Sequence, residues 1–155
     1  MEKFDFSELR RVYIPVYVKP FSQTAMKPVQ FKVDTGADST TISKHELYKL
    51  GFTLDWIREK SVIETASTAD GSVFTVGVVQ LPVINLLDYE GKNWPFLVII
   101  DEKRDFRNLL GRDLLSGFNY NFDNDVNVFE IKKANAFHFI GEKLPGQQMH
   151  EVMML

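Results

Sequence analysis

The most informative segment of this chain is Val33-Asp34-Thr35-Gly36-Ala37-Asp38-Ser39-Thr40. It continues the run Val29 to Val33, where apolar and polar residues alternate with the period of a half-buried β-strand. The strand therefore leads to a carboxylate, and Gly36 lets the backbone of the following turn approach that carboxylate closely. Further along the chain comes Leu109-Leu110-Gly111-Arg112-Asp113, an apolar pair and a glycine that lead into a short helix-like stretch.

Together and in this order, the two stretches resemble the active-site half of the retropepsin-like aspartic proteases. The first stretch matches the family motif almost residue for residue, and the resemblance extends over residues 12–131. It implies an all-β fold, a retropepsin-like closed β-barrel with one or two short helices and one lobe per subunit. An ordinary surface carboxylate in an Asx-turn is the alternative interpretation of Asp34.

The resemblance also implies roles for the residues of the turn. Asp34 is the expected catalytic carboxylate, and Thr35, Gly36 and Ala37 are expected to support the active-site turn. Aspartic protease chemistry needs two adjacent carboxylates that share a proton, and this chain has one such turn. The resemblance therefore implies a homodimer that acts on a polypeptide substrate, with no cofactor and no metal.

The second stretch is expected to support the first. In the family, an apolar-apolar-glycine segment lies beneath the catalytic turn, which here implies Leu109, Leu110 and Gly111. The arginine after that glycine pairs with the acidic residue of the turn, which implies a structural ion pair between Asp38 and Arg112. The alternatives are a plain core strand ending at a glycine and a solvated surface arginine.

A hairpin is predicted between the two stretches. Asp70-Gly71 lies between two β-prone runs, and such a pair suits a tight turn because glycine accepts a positive φ. The resemblance implies that Ala69, Asp70 and Gly71 form the tip of a substrate-binding flap. An ordinary β-hairpin is the alternative.

The remaining pattern predicts short strands and a short helix. Ser43 and Glu46 have capping-box spacing, and Gly51 ends the predicted helix. Many short strands separated by turn signals favour a closed or sandwich-like all-β domain. The segment 52–60 is predicted to be a loop, and residues 88–93 a turn. The predicted strands are 12–18, where Pro15 favours an edge or strand-end position, 29–33, 62–65, 73–81, 83–87, 94–100, 118–123 and 126–131.

Composition excludes several functional classes. The net charge of −3 and the lack of a dense basic run argue against nucleic-acid binding. The chain has no cysteine, so disulfides, thiol catalysis and cysteine-ligated zinc are excluded. The N-terminus has no apolar signal-like region and the longest apolar runs are too short to span a bilayer, so we expect a cytoplasmic protein without membrane contact.

The domain organisation and the function have defined alternatives. We predict an N-terminal extension at residues 1–11, the retropepsin-like domain at 12–131 and a C-terminal extension at 132–155 that could dock on a partner subunit. The predicted function is that of an aspartic endopeptidase. The alternatives are a non-catalytic peptide-binding or dimerisation module on the same fold, and a β-barrel unrelated to proteases.

Overall fold

The structure is a computed structural model that describes residues 2–5, 11–67, 71–101 and 103–134. These residues are mostly β, with three short helices: α1 (Lys44–Lys49), α2 (Leu54–Lys60) and α3 (Arg112–Leu115). The strands are β1 (Glu2–Asp5), β2 (Tyr13–Lys19), β3 (Lys27–Val33), β4 (Val62–Ser67), β5 (Val73–Leu86), β6 (Tyr89–Ile99), β7 (Leu109–Leu110), β8 (Phe118–Asp123) and β9 (Val128–Lys133). No helix in the described ranges is both long and apolar enough to cross a bilayer.

The strands form two sheets. A six-stranded sheet has the order β4-β5-β2-β3-β7, with β6 also paired to β5, and a three-stranded sheet has the order β1-β9-β8. All neighbours are antiparallel except β3 and β7, which are parallel. The mostly β prediction is confirmed, but the pairing in the described ranges shows no closed barrel. The predicted division into a domain and two extensions stays a prediction; β1, within the predicted N-terminal extension, pairs with β9.

Alternation of side chains builds the centre of the larger sheet. In β2, Ile14, Val16 and Val18 are buried while Tyr13 and Tyr17 are exposed, as expected for a strand with one face on the core. Pro15 lies in an interior strand, not at the sheet edge. It is tolerated there because β5 pairs only with residues 17–19 of β2, so Pro15 is not opposite any β5 residue.

The first helix follows the sequence prediction and the second does not. Ser43 caps α1 by accepting a 2.9 Å hydrogen bond from the Glu46 amide. The loop predicted for 52–60 is wrong, because α2 begins after Thr53, whose side chain accepts from the Trp56 amide at 3.1 Å. The rings of Phe52 and Trp56 pack with their centroids 4.6 Å apart. A cap and an aromatic contact thus stabilise a helix of seven residues.

The predicted turn at residues 88–93 is also wrong. Residues 73–86 form one strand, and β6 begins at Tyr89 after a tight turn in which Leu87 has a φ of 55°. The polar residues that suggested a turn are part of the long β5–β6 hairpin. Pro82 falls where the pairing passes from Leu81–Trp94 to Val83–Lys92, so it interrupts the ladder without ending the strand.

A single buried cluster joins both sheets to α3. The rings of Phe31 and Phe96 from the large sheet pack with their centroids 5.9 Å apart, and Phe129 from the small sheet belongs to the same cluster. Leu114 and Leu115 of α3 are almost completely buried in it. Burial of such side chains contributes about 1.5–3 kcal/mol each, so the segment that follows β7 is firmly attached to the core.

Candidate active site

Asp34 lies at the end of β3, at the start of the turn predicted to carry the chemistry. Its amide continues the ladder beyond the strand by donating to the Leu110 carbonyl at 3.0 Å, and its own carbonyl accepts from the Ala37 amide at 3.2 Å. The side chain is half-buried, whereas Thr35 and Gly36 are exposed. The turn therefore holds Asp34 by its backbone while its carboxylate can still be reached from solvent.

Gly36 contacts the carboxylate of Asp34 directly. Its amide donates a 3.0 Å hydrogen bond to Asp34 Oδ1. A Cβ atom at position 36 would lie 3.3 Å from that same oxygen and would crowd it. Glycine at this position lets the main chain approach the carboxylate closely enough for its amide to bind it.

Leu109 and Leu110 pass between β3 and the strand-like segment at Thr41. They pair in parallel with Lys32 and Val33 on one side. On the other side, Leu109 exchanges hydrogen bonds of 2.9 and 3.1 Å with Thr41. The segment named from the sequence thus lies in the sheet next to the strand that carries Asp34.

Gly111 is required by a close approach of two backbones. A Cβ atom at this position would lie 2.5 Å from the carbonyl carbon of Ser39 and 2.9 Å from the amide nitrogen of Thr40. The Gly111 amide donates to the hydroxyl of Thr40 at 3.0 Å. No residue with a side chain fits here unless the turn moves.

Arg112 and Asp38 form an ion pair between Nη2 and Oδ1. The arginine side chain is 54 % exposed and the aspartate 34 %, so the pair lies at the surface of the turn. Two backbone hydrogen bonds run beside it: Arg112 donates to the Ala37 carbonyl at 2.8 Å, and Asp113 donates to the Asp38 carbonyl at 3.1 Å. The start of α3 is therefore attached to the turn through both backbone and side chains.

Asp113 and Thr40 are parts of the site that sequence reasoning did not assign. Both side chains are completely buried. Asp113 Oδ1 accepts from the Thr40 hydroxyl at 2.7 Å and from the Leu114 amide at 2.8 Å, while Oδ2 has no hydrogen-bond partner among the described residues. Burial raises the pKa of Asp113 to about 6, although these hydrogen bonds act in the opposite direction. A carboxylate directly before Leu114-Leu115 was the only sequence signal for this burial.

The predicted hairpin is present in the larger sheet. β4 and β5 pair antiparallel up to Ser67 and Val73, and Gly71 has the positive φ, +87°, expected at such a turn. Ala69 and Asp70, the other two residues predicted at its tip, lie outside the described residues. Val73 is 68 % exposed at the end of the hairpin. The substrate-binding role of the hairpin stays a prediction.

The chemistry of this arrangement depends on how many carboxylates it brings together. One reachable carboxylate projects from a turn that is bonded to a neighbouring strand, to a short helix and to the core. A single carboxylate of this kind can act as a general base, but a paired carboxylate is needed before one partner holds a proton and the other does not.

Comparisons with known proteins agree with this geometry. Residues 23–117 match the family described as "gag-polyprotein putative aspartyl protease". Among solved structures, the fold is similar to the crystal structure of a retropepsin-like aspartic protease from Rickettsia conorii, with a TM-score of 0.59 and 25 % sequence identity. That match covers 84 % of this chain and 97 % of the other. No curated protein matches the sequence.

Proposed function

The chain belongs to the retropepsin-like aspartyl protease family, and from this premise we propose that it is an aspartic endopeptidase whose active site forms between two copies of the chain. One observation carries the proposal: the Asp34 carboxylate accepts from the Gly36 amide in a turn whose backbone is bonded to Leu110. The Gly36 contact alone also occurs in an ordinary Asx-turn, and the catalytic interpretation is favoured by the Leu110 contact, the Asp38–Arg112 pair and the family match taken together.

In the proposed mechanism, Asp34 of one subunit lies beside Asp34 of the second subunit. Two carboxylates so close share one proton, because ionisation of both is disfavoured by repulsion. The ionised member takes a proton from a water molecule, which attacks the carbonyl carbon of the peptide bond, and the protonated member donates to the carbonyl oxygen. The two apparent pKa values belong to the pair and not to either residue.

The proposed dimer follows from the number of carboxylate turns. Each chain supplies one Asp-Thr-Gly turn, so a two-fold axis through the site would bring two equivalent turns together. Thr35 is exposed beside Asp34, in a position to meet its counterpart across the axis. Each subunit would form one lobe, with barrel closure completed by contacts beyond the pairing of the described strands.

The β4–β5 hairpin is the proposed cover of the substrate. A hairpin that closes over an extended polypeptide excludes water and offers main-chain hydrogen bonds. Exposed apolar side chains at Val62, Ile63 and Val73 give the hairpin a surface that such a polypeptide or a second subunit would bury.

The test is cleavage of a diverse peptide library between pH 3 and pH 8 by the native chain and by Asp34→Asn. We expect cleavage by the native chain and its loss in Asp34→Asn. The exposed turn variant Asp125→Asn, with the same chemical change away from the site, should cleave as the native chain does. Sedimentation equilibrium on the same samples should show a dimer. A pure dimer that cuts nothing would instead favour a peptide-binding module, and a monomer that cuts would refute the shared site.

A further inference from the structure

A cavity of about 320 Å³ lies beside β3, on the edge where β7 and the preceding loop meet it. Its size suits one long amino-acid side chain together with part of the neighbouring backbone. The lining residues are Tyr13, Gln30, Lys32, Ser43, Phe106, Arg107 and Asn108.

This cavity opens on the face of β3 that carries Gln30 and Lys32. Phe31 and Val33 are buried in the core, so Gln30 and Lys32 lie on the other face, and Asp34, the residue after the strand, would follow on that face if the alternation continues. Residues two apart on a strand are separated by about 7 Å. The Lys32 position is therefore roughly two residues of extended chain away from the proposed catalytic carboxylate.

The charge of the cavity is positive. Lys32 and Arg107 are its charged lining residues, and the others are neutral. Within the described part of the chain, neither of the two forms an ion pair with a carboxylate. In a protein with a net charge of −3, two cationic residues that line one cavity without a paired acid make a local site for an anion.

The walls of the cavity are held by hydrogen bonds. The Asn108 side chain accepts from the Ser43 amide at 2.8 Å, and the Asn108 carbonyl accepts from the Lys32 amide at 2.9 Å. The Thr41 hydroxyl donates to the Arg107 carbonyl at 2.7 Å. Because the backbone carrying both cations is fixed, little ordering is needed when a ligand enters.

The cavity also adjoins the hairpin. Phe106, one of its lining residues, contacts Phe74 of β5 edge to face with ring centroids 5.7 Å apart. A polypeptide that lies between the hairpin and Asp34 would therefore pass the mouth of the cavity.

We propose that this cavity is a specificity subsite in which Lys32 and Arg107 bind an acidic side chain of the substrate, within about two residues of the cleaved bond. The inference rests on the proposed peptidase function and adds the substrate class: peptides with Glu or Asp at one fixed position near the scissile bond. Arginine and lysine recognise a carboxylate through charge-assisted hydrogen bonds, and a neutral amide of the same shape would lose much of that interaction.

The kinetic test compares matched peptides with Glu or Gln at each position around the cleaved bond. At one position, we expect kcat/KM to be about five- to tenfold higher for Glu, a preference that weakens as salt is added. Lys32→Met and Arg107→Gln should each reduce the Glu-to-Gln ratio toward one, and Arg107→Glu should shift the preference to Lys. Arg104→Gln, in the same loop but lining a different cavity, should keep the native ratio.

A binding test separates this inference from the peptidase proposal. The Asp34→Asn chain is titrated with the same uncleaved Glu and Gln peptides, followed by chemical-shift changes at the Lys32 and Arg107 amides. Tighter binding of the Glu peptide, lost in Lys32→Met, supports the subsite even if the native chain cuts nothing. The opposite result would be cleavage that depends on Asp34, with equal kcat/KM and equal affinity for the Glu and Gln peptides. It would overturn the subsite and leave the peptidase proposal intact.

Discussion

The hydroxyl of Thr40 donates a 2.7 Å hydrogen bond to the buried carboxyl group of Asp113 and accepts one of 3.0 Å from the Gly111 amide. One side chain thus joins the end of the turn that begins at Asp34 to both Gly111 and the short helix that follows. The Arg112–Asp38 ion pair makes a parallel connection at the surface.

Asp113 should make the folded state less stable as the pH rises. The pKa of its carboxyl group is about 6 in the folded chain and 3.8 ordinarily, so between these values the folded state holds a proton that the unfolded state has lost. Stability from this group is therefore present below about pH 4 and is lost as the pH rises through about 6, by roughly 3 kcal/mol. The free energy of unfolding of Asp113→Asn should therefore rise relative to that of the native chain between pH 4 and pH 7, by up to roughly 3 kcal/mol.

Urea unfolding of both proteins at a series of pH values measures this difference. The exposed-site variant Asp125→Asn serves as the reference for a carboxylate without burial. A stability difference between Asp113→Asn and the native chain that stays constant with pH would contradict the assignment.

Thr40→Val should destabilise the chain more than Thr41→Val. Both replace a buried hydroxyl by a methyl group, but Thr40 forms two side-chain hydrogen bonds with buried partners and Thr41 forms one, to the Arg107 carbonyl. We expect a loss of about 2–4 kcal/mol for Thr40→Val and about 1–2 kcal/mol for Thr41→Val. Thr40→Ser keeps the hydroxyl and should lie nearer the native stability. Equal losses in the two valine variants would mean that the Thr40 contacts add nothing.

Gly111→Ala should be poorly tolerated because its Cβ would meet backbone atoms that cannot rotate away. We expect a loss of at least about 3 kcal/mol in thermal or urea unfolding, together with loss of cleavage. Gly71→Ala is the matched change: it has open space around the new methyl group and a strained φ of +87°, for which about 1 kcal/mol is expected. A Gly111→Ala protein as stable as Gly71→Ala would show that the turn can shift at low cost.

The Asp38–Arg112 pair should contribute little to global stability despite its position. Because the arginine is more than half exposed, water and salt screen the attraction, and we expect a coupling energy below about 1 kcal/mol. A double-mutant cycle with Asp38→Asn and Arg112→Gln, run at low and at high salt, measures it. A coupling energy above about 2 kcal/mol that does not change with salt would show that the pair is shielded in the folded protein.

The sequence predicted where Asp34 lies and the Asp38–Arg112 pair, but not the buried connection between Thr40 and Asp113. Periodicity and the Asp-Thr-Gly turn were enough to place Asp34 at the end of β3, since both are local features. The burial of Asp113 depends on how α3 packs against the core, and a charged residue beside Arg112 suggests exposure instead. Helix α2 was missed because tertiary packing, here Phe21 against Phe52 and the complete burial of Ile57, stabilises a segment too short to show clear periodicity.

Pro82 and the polar residues after Tyr89 led to the opposite error, in which residues of strands were predicted to form a break or a turn. Each is typical of a loop, yet a long partner strand accommodates both. Lys32 and Arg107 illustrate a further limit, because residues so distant in the chain share a cavity only through the parallel pairing of β3 and β7.

The same pairing has a consequence for biosynthesis. Thr40, at the end of the Asp34 turn, is hydrogen-bonded to residues that lie 71 and 73 positions further along the chain. A nascent chain that has emerged only as far as the β4–β5 hairpin already contains Asp34 but lacks the strand and helix that hold it. Loop closure over such a distance is slow and comes late in folding. Asp34 would therefore reach its fully supported position only after most of the domain has left the ribosome, so an incomplete chain would present this carboxylate without the strand and helix beside it.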